Sequence, residues 1–326
     1  MVMKRVVIIG AGQIGSRHLQ SLALLTQEIE IYLVDPSEVS LGVANERYNK
    51  AKQLPSLNHK LKLFHSVDQL PAAIDIAIIA TNSAVRARVI KELVTTKKVK
   101  NLILEKILFQ TISDFEPIKQ LLAEHAIPAW VNCWMRAMIF YQELKTRLLP
   151  DERIKISVEG PQWGLGCNSI HFIDLFAFFT DDLDISFDKI EIDELIFESK
   201  RDGFKEFTGS IIVNNSKGDT LDLNCLKAGT QETMIRIENQ NSWHEIEGFN
   251  DIKYKYFDGI QEKKSELSIP HISQITNKII EQILSSGNCD LTRYEDSMKL
   301  HIPFIKTILN HLELVYKKEI QVCPIT

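Results

Sequence analysis

The sequence of 326 residues contains no apolar run long enough to cross a membrane, no internal repeat and no low-complexity segment. Its net charge is modest, since it has 38 Lys and Arg against 43 Asp and Glu. The resulting formal net charge of −5 offers no broad basic surface. The apolar run after Arg5 ends early at a glycine-rich turn, so no targeting segment is predicted. The sequence therefore predicts neither a membrane nor a nucleic acid as a partner.

Cysteine is scarce, and its five residues are odd in number, widely scattered and without C-x-x-C spacing: Cys133, Cys167, Cys225, Cys289 and Cys323. This pattern is typical of reduced thiols and predicts a cytoplasmic protein without a structural zinc site. Apart from His171, which is considered below, the histidines show no metal-ligand spacing. No metal site is predicted.

The composition, 44% hydrophobic and 25% charged, is ordinary for a globular chain, and the length suffices for two domains. Up to Val131, predicted strands alternate with predicted helices, which favours βαβ units and a doubly wound parallel sheet. Further on, strands follow one another with turns at Asn214–Asp219 and Lys227–Gly229, which favours antiparallel pairing. We predict an α/β chain with a parallel-sheet domain at 1–131 and an α+β domain at 132–326.

Hydrophobic patterns predict the elements of the second domain. The strands are expected at 154–158, 189–198, 208–213, 220–226, 233–238 and 253–257, and the helices at 137–148, 169–179, 272–284 and 295–316. Pro303 interrupts the last helical pattern. An apolar outer face on the antiparallel sheet would be a natural oligomer surface, so we expect a homo-oligomer, either a dimer or a tetramer.

A glycine motif near the start of the chain predicts a phosphate-binding turn. The apolar run Val6–Ile9 fits a buried strand, and G-x-G-x-x-G spacing follows it. Gly10 permits the tight turn, Gly12 lets a pyrophosphate approach the backbone, and Gly15 lets the helix pack on its strand. Free N–H groups at the helix N-terminus bind the negative charge. The predicted dinucleotide-binding positions here are Gly10, Gly12, Gln13, Ile14 and Gly15.

A second strand predicted at Glu30–Val34 leads to Asp35, twenty residues beyond Gly15. A carboxylate at this place can accept both ribose hydroxyls of NAD. The following residues, Pro36–Glu38, include no Arg or Lys to neutralise a 2′-phosphate. We therefore expect NAD(H) in preference to NADP(H), and the alternative is an ordinary strand-end aspartate beside a tight turn.

Two side chains are candidates for proton chemistry. Lys106 lies in the pair Glu105-Lys106 at the end of a predicted parallel strand, where α/β sheets bind ligands. A lysine there can hydrogen-bond a substrate hydroxyl and stabilise an alkoxide as hydride leaves. His171 can exchange a proton near neutral pH. The alternatives are an exposed surface lysine and a hydrogen-bonded core or interface histidine.

The chain resembles the Gfo/Idh/MocA family, named after glucose-fructose oxidoreductase, inositol dehydrogenase and rhizopine catabolism. The resemblance extends over nearly the whole chain and rests on Gly10–Gly15 with His18 and Leu19, Asp35, Ala80–Asn82, Glu105 with Lys106, Asn132 with Arg136, His171 with Asp174 and Leu175, and Leu291 with Thr292. It implies a Rossmann domain followed by a domain for substrate binding and oligomerisation. It also implies that Thr81, Asn82 and Glu105 contribute to the cofactor site.

By this resemblance, Lys106 corresponds to the lysine of the family's Glu-Lys-Pro motif, and His171 to the histidine that closes its Asp-x-x-x-His segment. The two are the predicted catalytic residues. Arg136 can clamp a carboxylate or phosphate of the substrate, or else pair with a local carboxylate. The predicted substrate-binding residues are Lys106, Asn132, Arg136, Cys167, Asn168 and His171.

The chain departs from the family pattern at several positions. Ile107 replaces the proline after the lysine, and Cys167 replaces the aspartate four residues before the histidine. Asn82 and Arg86 stand where a proline and a histidine are usual. A thiol is a much weaker hydrogen-bonding group than a carboxylate, and Asn168, one residue further, points in a different direction on a helix.

The sequence thus predicts an NAD(H)-dependent oxidoreductase acting on a secondary alcohol or ketone of a sugar, cyclitol or nucleotide-linked sugar. Two alternatives remain open at this point. One is a catalytically inactive regulator or scaffold that binds the dinucleotide, as in a galactose-regulon repressor of the family, and Cys167 and Ile107 favour it. The other is an enzyme similar to biliverdin reductase, which shares the two-domain plan.

Overall fold

The computed structural model describes residues 3–52, 59–148, 152–248, 252–267 and 272–326. In the first part of the chain, strands alternate with helices: β1 (Lys4–Ile9), α1 (Gln13–Leu22), β2 (Ile29–Val34), α2 (Glu38–Ala51), β3 (Lys60–Phe64), β4 (Ala73–Ile74), β5 (Ile76–Ile79), α3 (Ser83–Thr96), β6 (Lys98–Val99), β7 (Leu102–Leu104), α4 (Phe115–Glu124) and β8 (Ala129–Val131). This alternation matches the predicted βαβ pattern.

In the second part, strands predominate. The elements are α5 (Ile139–Arg147), β9 (Lys155–Pro161), α6 (Leu165–Thr180), β10 (Ile185–Ile192), β11 (Phe197–Glu198), β12 (Lys205–Glu206), β13 (Gly209–Asn215), β14 (Thr220–Leu226), β15 (Met234–Glu238), β16 (Trp243–Glu247), β17 (Lys253–Phe257), β18 (Glu262–Glu266), α7 (Thr276–Ser286), β19 (Thr292–Arg293) and α8 (Tyr294–Tyr316). Short 3-10 turns lie between several of these elements.

The chain divides into two units that are not continuous in sequence. The first combines residues up to Phe109, the segment Ser113–Trp134 and a late segment that ends at Glu295. The second combines Gln110–Ile112, the middle of the chain from Met135, and Asp296–Thr326.

The first unit is built on a seven-stranded sheet in the order β19, β8, β7, β5, β1, β2, β3. All neighbouring strands are parallel except β19, which runs antiparallel to β8. The central strands are wholly buried, because Val6, Val7 and Ile8 in β1 and Ile76–Ile79 in β5 have no exposed surface. Apolar strands covered on both faces are typical of parallel sheets. The predicted doubly wound parallel sheet is therefore confirmed.

The second unit contains an eight-stranded sheet in the order β10, β13, β14, β9, β15, β16, β17, β18. Only β9 and β14 pair in parallel, and the other neighbours are antiparallel. Buried residues alternate with more exposed ones along β13, β14, β15 and β16, so one face forms a core. The prediction of a largely antiparallel second sheet is confirmed.

The observed division of the chain differs from the predicted division after Val131, because a late segment ending at Glu295 belongs to the first unit. Thr292 pairs with Val131, so that β19 extends the parallel sheet at its edge. In α7, the backbone N–H of Asn277 donates to the Ser21 hydroxyl at 2.9 Å, and that hydroxyl donates to the Asn277 side chain at 3.0 Å. These contacts return the segment to the first unit. Hydrophobic periodicity cannot report such a return, because the partners are 256 residues apart.

The outer face of the second sheet is charged where β15 and β16 pair. Arg236 donates to Glu238 at 2.7 Å and to Glu245 at 2.5 Å. Its guanidinium also lies 4.9 Å from the ring centroid of Trp243. On these two strands, charged residues of the outer face therefore pair with one another.

Several element bounds also differ from the prediction. The predicted strand 189–198 is two strands, because β10 begins at Ile185 and ends at Ile192, and β11 starts only at Phe197. A register shift between Phe187 and Lys189 lies within β10. Helix α8 continues through Pro303 because the neighbouring Phe304, Ile305 and Ile308 are fully buried. Their packing offsets the cost of a proline inside a helix, which is about 3 kcal/mol. Strands β16 and β18 were not predicted.

Within the described ranges, no helix combines the length and the hydrophobicity that crossing a membrane requires. Over the same residues, no three His, Cys, Asp or Glu side chains are grouped so as to hold a metal ion. The five cysteines are free thiols.

Candidate active site

Five neighbouring strands of the parallel sheet end along one edge, in the order β2, β1, β5, β7, β8. Backbone N–H groups just beyond four of these strands donate to the next strand: Gly10 to Val34 at 2.8 Å, Ala80 to Ile9 at 2.8 Å, Glu105 to Ile79 at 3.1 Å and Asn132 to Leu104 at 2.8 Å. Adjacent strands lie about 4.8 Å apart. We call the residues that follow these strands the strand-end row: Asp35, Gly10, Ala80, Glu105 and Asn132.

The three glycines have the properties that a dinucleotide requires. Gly10 has a φ of +102°, and a Cβ there would lie 2.8 Å from the carbonyl carbon of Ala80. A Cβ on Gly15 would lie 1.7 Å from the Gly10 oxygen, so the helix packs closely on the turn. Around Gly12 a Cβ would meet no atom within 4 Å, which leaves room for a ligand. Helix α1 begins directly afterwards, without a side-chain cap on its N-terminal N–H groups.

The Asp35 carboxylate lies against this turn. Its Oδ2 accepts a hydrogen bond from the Ala11 N–H at 2.7 Å, and its Oδ1 accepts one from the Ser37 N–H at 2.8 Å. The residue is only half-buried, so the carboxylate keeps a side open to a ligand. Arg47 also reaches the turn, since its guanidinium donates to the Ser16 hydroxyl at 2.5 Å. Arg47 was not predicted from the sequence, because it lies twelve residues beyond Asp35.

A buried hydrogen-bond network surrounds Glu105. Its Oε1 lies 2.9 Å from Nε2 of His18 and accepts a hydrogen bond from the Asn132 amide at 2.6 Å. Burial alone raises the pKa of this carboxyl, but the hydrogen bond and positive charge of His18, together with the Asn132 hydrogen bond, outweigh it and lower the pKa from 4.5 to about 2. Glu105 is therefore an anion throughout the neutral range.

His18 connects Glu105 to the late segment. Its Nδ1 lies 2.8 Å from the Thr276 hydroxyl, which itself donates to the Ile272 carbonyl at 3.2 Å. Both ring nitrogens of His18 therefore have hydrogen-bonding partners. From the sequence, His18 was predicted only as part of the family motif. His18 comes three residues after Gly15 and so lies on the same face of α1. This spacing was the only sequence feature that pointed to a role for His18 beside the glycine turn.

The predicted cofactor and catalytic residues of the first unit lie along this edge. Thr81 and Lys106 are half-buried, whereas Asn82 is exposed and precedes α3. Asn132, predicted to bind substrate, is 5% exposed, and its amide donates a hydrogen bond to Glu105. It thus supports the residue before Lys106.

The other predicted substrate residues belong to the second unit and to the segment around α6. His171 and Asp174 are buried there, one helical turn apart. Nη1 of Arg136 lies 3.8 Å from Oδ1 of Asp174, so this arginine pairs with a nearby carboxylate, as one of the two alternatives expected. The other alternative, in which Arg136 binds a carboxylate or phosphate of the substrate, stays a prediction. The Asn168 amide donates to the Trp163 carbonyl at 2.6 Å, so it turns toward the chain that precedes α6.

A carboxylate from a later strand caps α6. The two carboxylate oxygens of Glu206 accept hydrogen bonds from the backbone N–H of Gly166 at 2.8 Å and of Cys167 at 3.0 Å. Glu206 is only 6% exposed. This cap explains why α6 begins at Leu165 instead of 169, and sequence reasoning missed it because the partners are 40 residues apart.

Replacing Glu206 by alanine is expected to lower the free energy of unfolding by about 1–3 kcal/mol, because the N–H groups of Gly166 and Cys167 lose their acceptor. Thermal and urea unfolding measure the change. Glu198 lies in the neighbouring strand β11 and is exposed, so Glu198→Ala is the matched control, with an expected change within about 0.5 kcal/mol. Equal losses in the two variants would contradict a capping role.

Residues 4–133 match the sequence model of the GFO_IDH_MocA family, an oxidoreductase family with an NAD-binding Rossmann fold. No curated protein sequence matches the chain.

Solved structures share the fold over nearly the whole chain. An oxidoreductase from Agrobacterium radiobacter, in complex with NAD+, L-tartaric acid and magnesium, is 15% identical, and the match covers 94% of this chain and 95% of that one at a TM-score of 0.68. UDP-N-acetylglucosamine 3-dehydrogenase from Acidithiobacillus ferrooxidans is 14% identical, with 94% and 97% covered at a TM-score of 0.66. A super-repressor mutant of Gal80p from Saccharomyces cerevisiae is 16% identical, with 96% of each chain covered at 0.69.

At these identities the solved structures show a common fold, and the match to the family model covers residues 4–133. The glycine turn, Asp35 and Glu105 all lie within the matched residues. Residues 4–133 are therefore similar to the Gfo/Idh/MocA oxidoreductase family, which has an NAD-binding Rossmann fold.

Proposed function

We propose that this chain is an NAD(H)-dependent oxidoreductase that transfers a hydride to or from a secondary alcohol or ketone of a sugar, a cyclitol or a nucleotide-linked sugar. The strand-end row carries this proposal, because it brings Asp35, the glycine turn and the pair Glu105-Lys106 to one edge of one sheet. A UDP-sugar dehydrogenase of the same fold supports the sugar-type substrate.

The proton chemistry is assigned to two side chains. Bound NAD(H) supplies hydride exchange with the substrate carbon. The Lys106 ammonium donates a hydrogen bond to the substrate oxygen and stabilises negative charge there. His171 accepts the hydroxyl proton in oxidation and returns it in reduction. Arg136, Cys167 and Asn168 are proposed to contact the rest of the substrate.

The preference for NAD(H) over NADP(H) is proposed from the carboxylate of Asp35. A 2′-phosphate beside it would meet like charge, whereas ribose hydroxyls donate hydrogen bonds to it. Gln13, Ile14, Thr81 and Asn82 are proposed as further cofactor contacts, in addition to the three glycines.

Asp35→Asn is expected to weaken NADH binding by about 10-fold, because one charged acceptor of the ribose hydroxyls becomes neutral. The same change should narrow the difference in affinity between NADH and NADPH. Fluorescence titration of both dinucleotides measures the two effects. Asp75 lies at the opposite end of β5, so Asp75→Asn is the control. Unchanged NADH affinity in Asp35→Asn would contradict the proposal that Asp35 binds the ribose hydroxyls.

Turnover with a panel of nucleotide sugars and cyclitols tests the enzymatic proposal. NADH formation or consumption is followed for the wild type, Lys106→Ala and His171→Ala. Loss of rate in both variants supports the assigned roles. A substrate that both variants turn over at full rate would show that the chemistry belongs to other residues.

A second candidate is a regulator that binds the dinucleotide without turnover. The shared fold with Gal80p and the presence of Cys167 where the family has an aspartate favour it. Retention of Lys106 and His171 counts against it. NADH binding with no turnover across the panel would favour the regulator.

We also propose a cytoplasmic homo-oligomer, a dimer or a tetramer. Five free thiols suit a reducing compartment. Exposed apolar side chains of the second unit, among them Leu195 at 68% and Leu314 at 78%, support self-association. A solution mass equal to one chain, measured by light scattering, would contradict it.

A further inference from the structure

Arg86 is a cation in an unusual place. It is the fourth residue of α3 and is 1% exposed. Burial removes the hydration of a guanidinium, and the N-terminal turn of a helix already carries partial positive charge. Strong acceptors are needed to hold the side chain there.

Main-chain carbonyls from two loops supply these acceptors. Nη1 of Arg86 donates to the carbonyl of Ile107 and, at 3.0 Å, to that of Leu108, while Nη2 donates to the carbonyl of Thr81. Thr81 follows β5, whereas Ile107 and Leu108 follow β7. A guanidinium presents several N–H donors in one rigid plane, so it can serve two chain segments at once, which an ammonium group does less well.

The loop after β7 depends on such donors. Ile107, Leu108 and Phe109 are wholly buried, and buried carbonyls require hydrogen-bond partners. On the other side of Lys106, Glu105 is fixed by His18 and Asn132. Lys106 therefore lies between two anchored neighbours.

We infer that Arg86 is a positioning residue, which ties the loop that carries Lys106 to the loop of Thr81 and so fixes the lysine for the reaction. The inference rests on the proposed function. It assigns to Arg86 no contact with substrate or cofactor, and it concerns only how rigidly the two loops are held.

Hydrogen exchange tests the anchoring without any turnover. In Arg86→Met, the amides of segment 104–110 are expected to exchange at least about 10-fold faster than in the wild type, while strands β1 and β2 are unchanged. Arg88 lies on the same helix, and its side chain is 74% exposed, so Arg88→Met is the matched control and should alter neither region. Unchanged exchange at 104–110 in Arg86→Met would overturn the inference.

Kinetics test the consequence for Lys106. Arg86→Met is expected to lower kcat by about 100-fold, because a small displacement of a catalytic group has effects of this size, while the dissociation constant for NADH stays within about 3-fold. Equal losses of kcat and NADH affinity would indicate general damage and overturn the positioning role. If the wild type bound no dinucleotide, the proposed function would fail, yet the exchange comparison would still decide the anchoring.

Arg86→Lys separates charge from geometry and replaces Arg86→Met if the latter does not fold. It keeps the cation but not the planar fork, so only part of the exchange protection and of kcat should return. Full recovery in both measurements would show that charge alone suffices and would overturn the proposed bridge between the two loops.

Discussion

Lys106→Met is expected to lower kcat by about 1,000-fold, while the dissociation constant for NADH changes by less than about 3-fold. The methionine side chain keeps much of the length and apolar stem of lysine but cannot donate a hydrogen bond to the substrate oxygen. Charge that develops on that oxygen then lacks its stabilising partner. Steady-state kinetics with a substrate found in the panel, together with fluorescence titration, measure the two quantities.

The control uses a lysine at the opposite end of the same strand. Lys100 precedes β7, is exposed and pairs with Asp75 at 2.9 Å. Lys100→Met removes the same charge without touching the strand-end row, so kcat should change by less than about 2-fold. A comparable loss in the two variants would point to charge in general and not to the position of Lys106.

Local sequence patterns predicted much of the fold because each of them depends on neighbouring residues. The strand, turn and helix at Val6–Leu19 follow from an apolar run and three glycines, and the parallel sheet follows from alternating elements. The return of α7 to the first unit was not predictable in this way. It depends on contacts such as that of Asn277 with Ser21, which no local pattern contains.

The candidate site shows the same contrast. Gly10, Asp35 and Lys106 carry their chemistry in their own residue type and in their place after a strand. Glu206 and Arg86 do not, because a buried carboxylate on a helix N-terminus and a buried guanidinium on carbonyls are defined by distant partners. Charged residues of these types are usually exposed, so residue type alone did not indicate their roles, although Arg86 departs from the family pattern.

The buried contacts of Glu105 with His18 and Asn132 make the stability of the first unit depend on pH. Glu105 is 4% exposed, and the favourable contacts of its anionic form lower its pKa from 4.5 to about 2. A carboxyl whose pKa is lower in the folded state stabilises that state above the unfolded pKa. This contribution is fully present at neutral pH and is lost as the pH falls from about 4.5 toward about 2.

Glu105→Gln should therefore lower the free energy of unfolding by about 3 kcal/mol at pH 7, since the lowered pKa corresponds to a stabilisation of about this size. The difference from the wild type should shrink as the pH approaches 2. Urea unfolding at a series of pH values measures both effects.

Glu124→Gln makes the same chemical change at an exposed position at the end of α4 and should have little effect at any pH. A loss in Glu105→Gln that stays constant down to the lowest pH would mean that packing, and not the charge of Glu105, provides the stability. A loss that disappears with acid would instead show that the charge of Glu105 provides the stability.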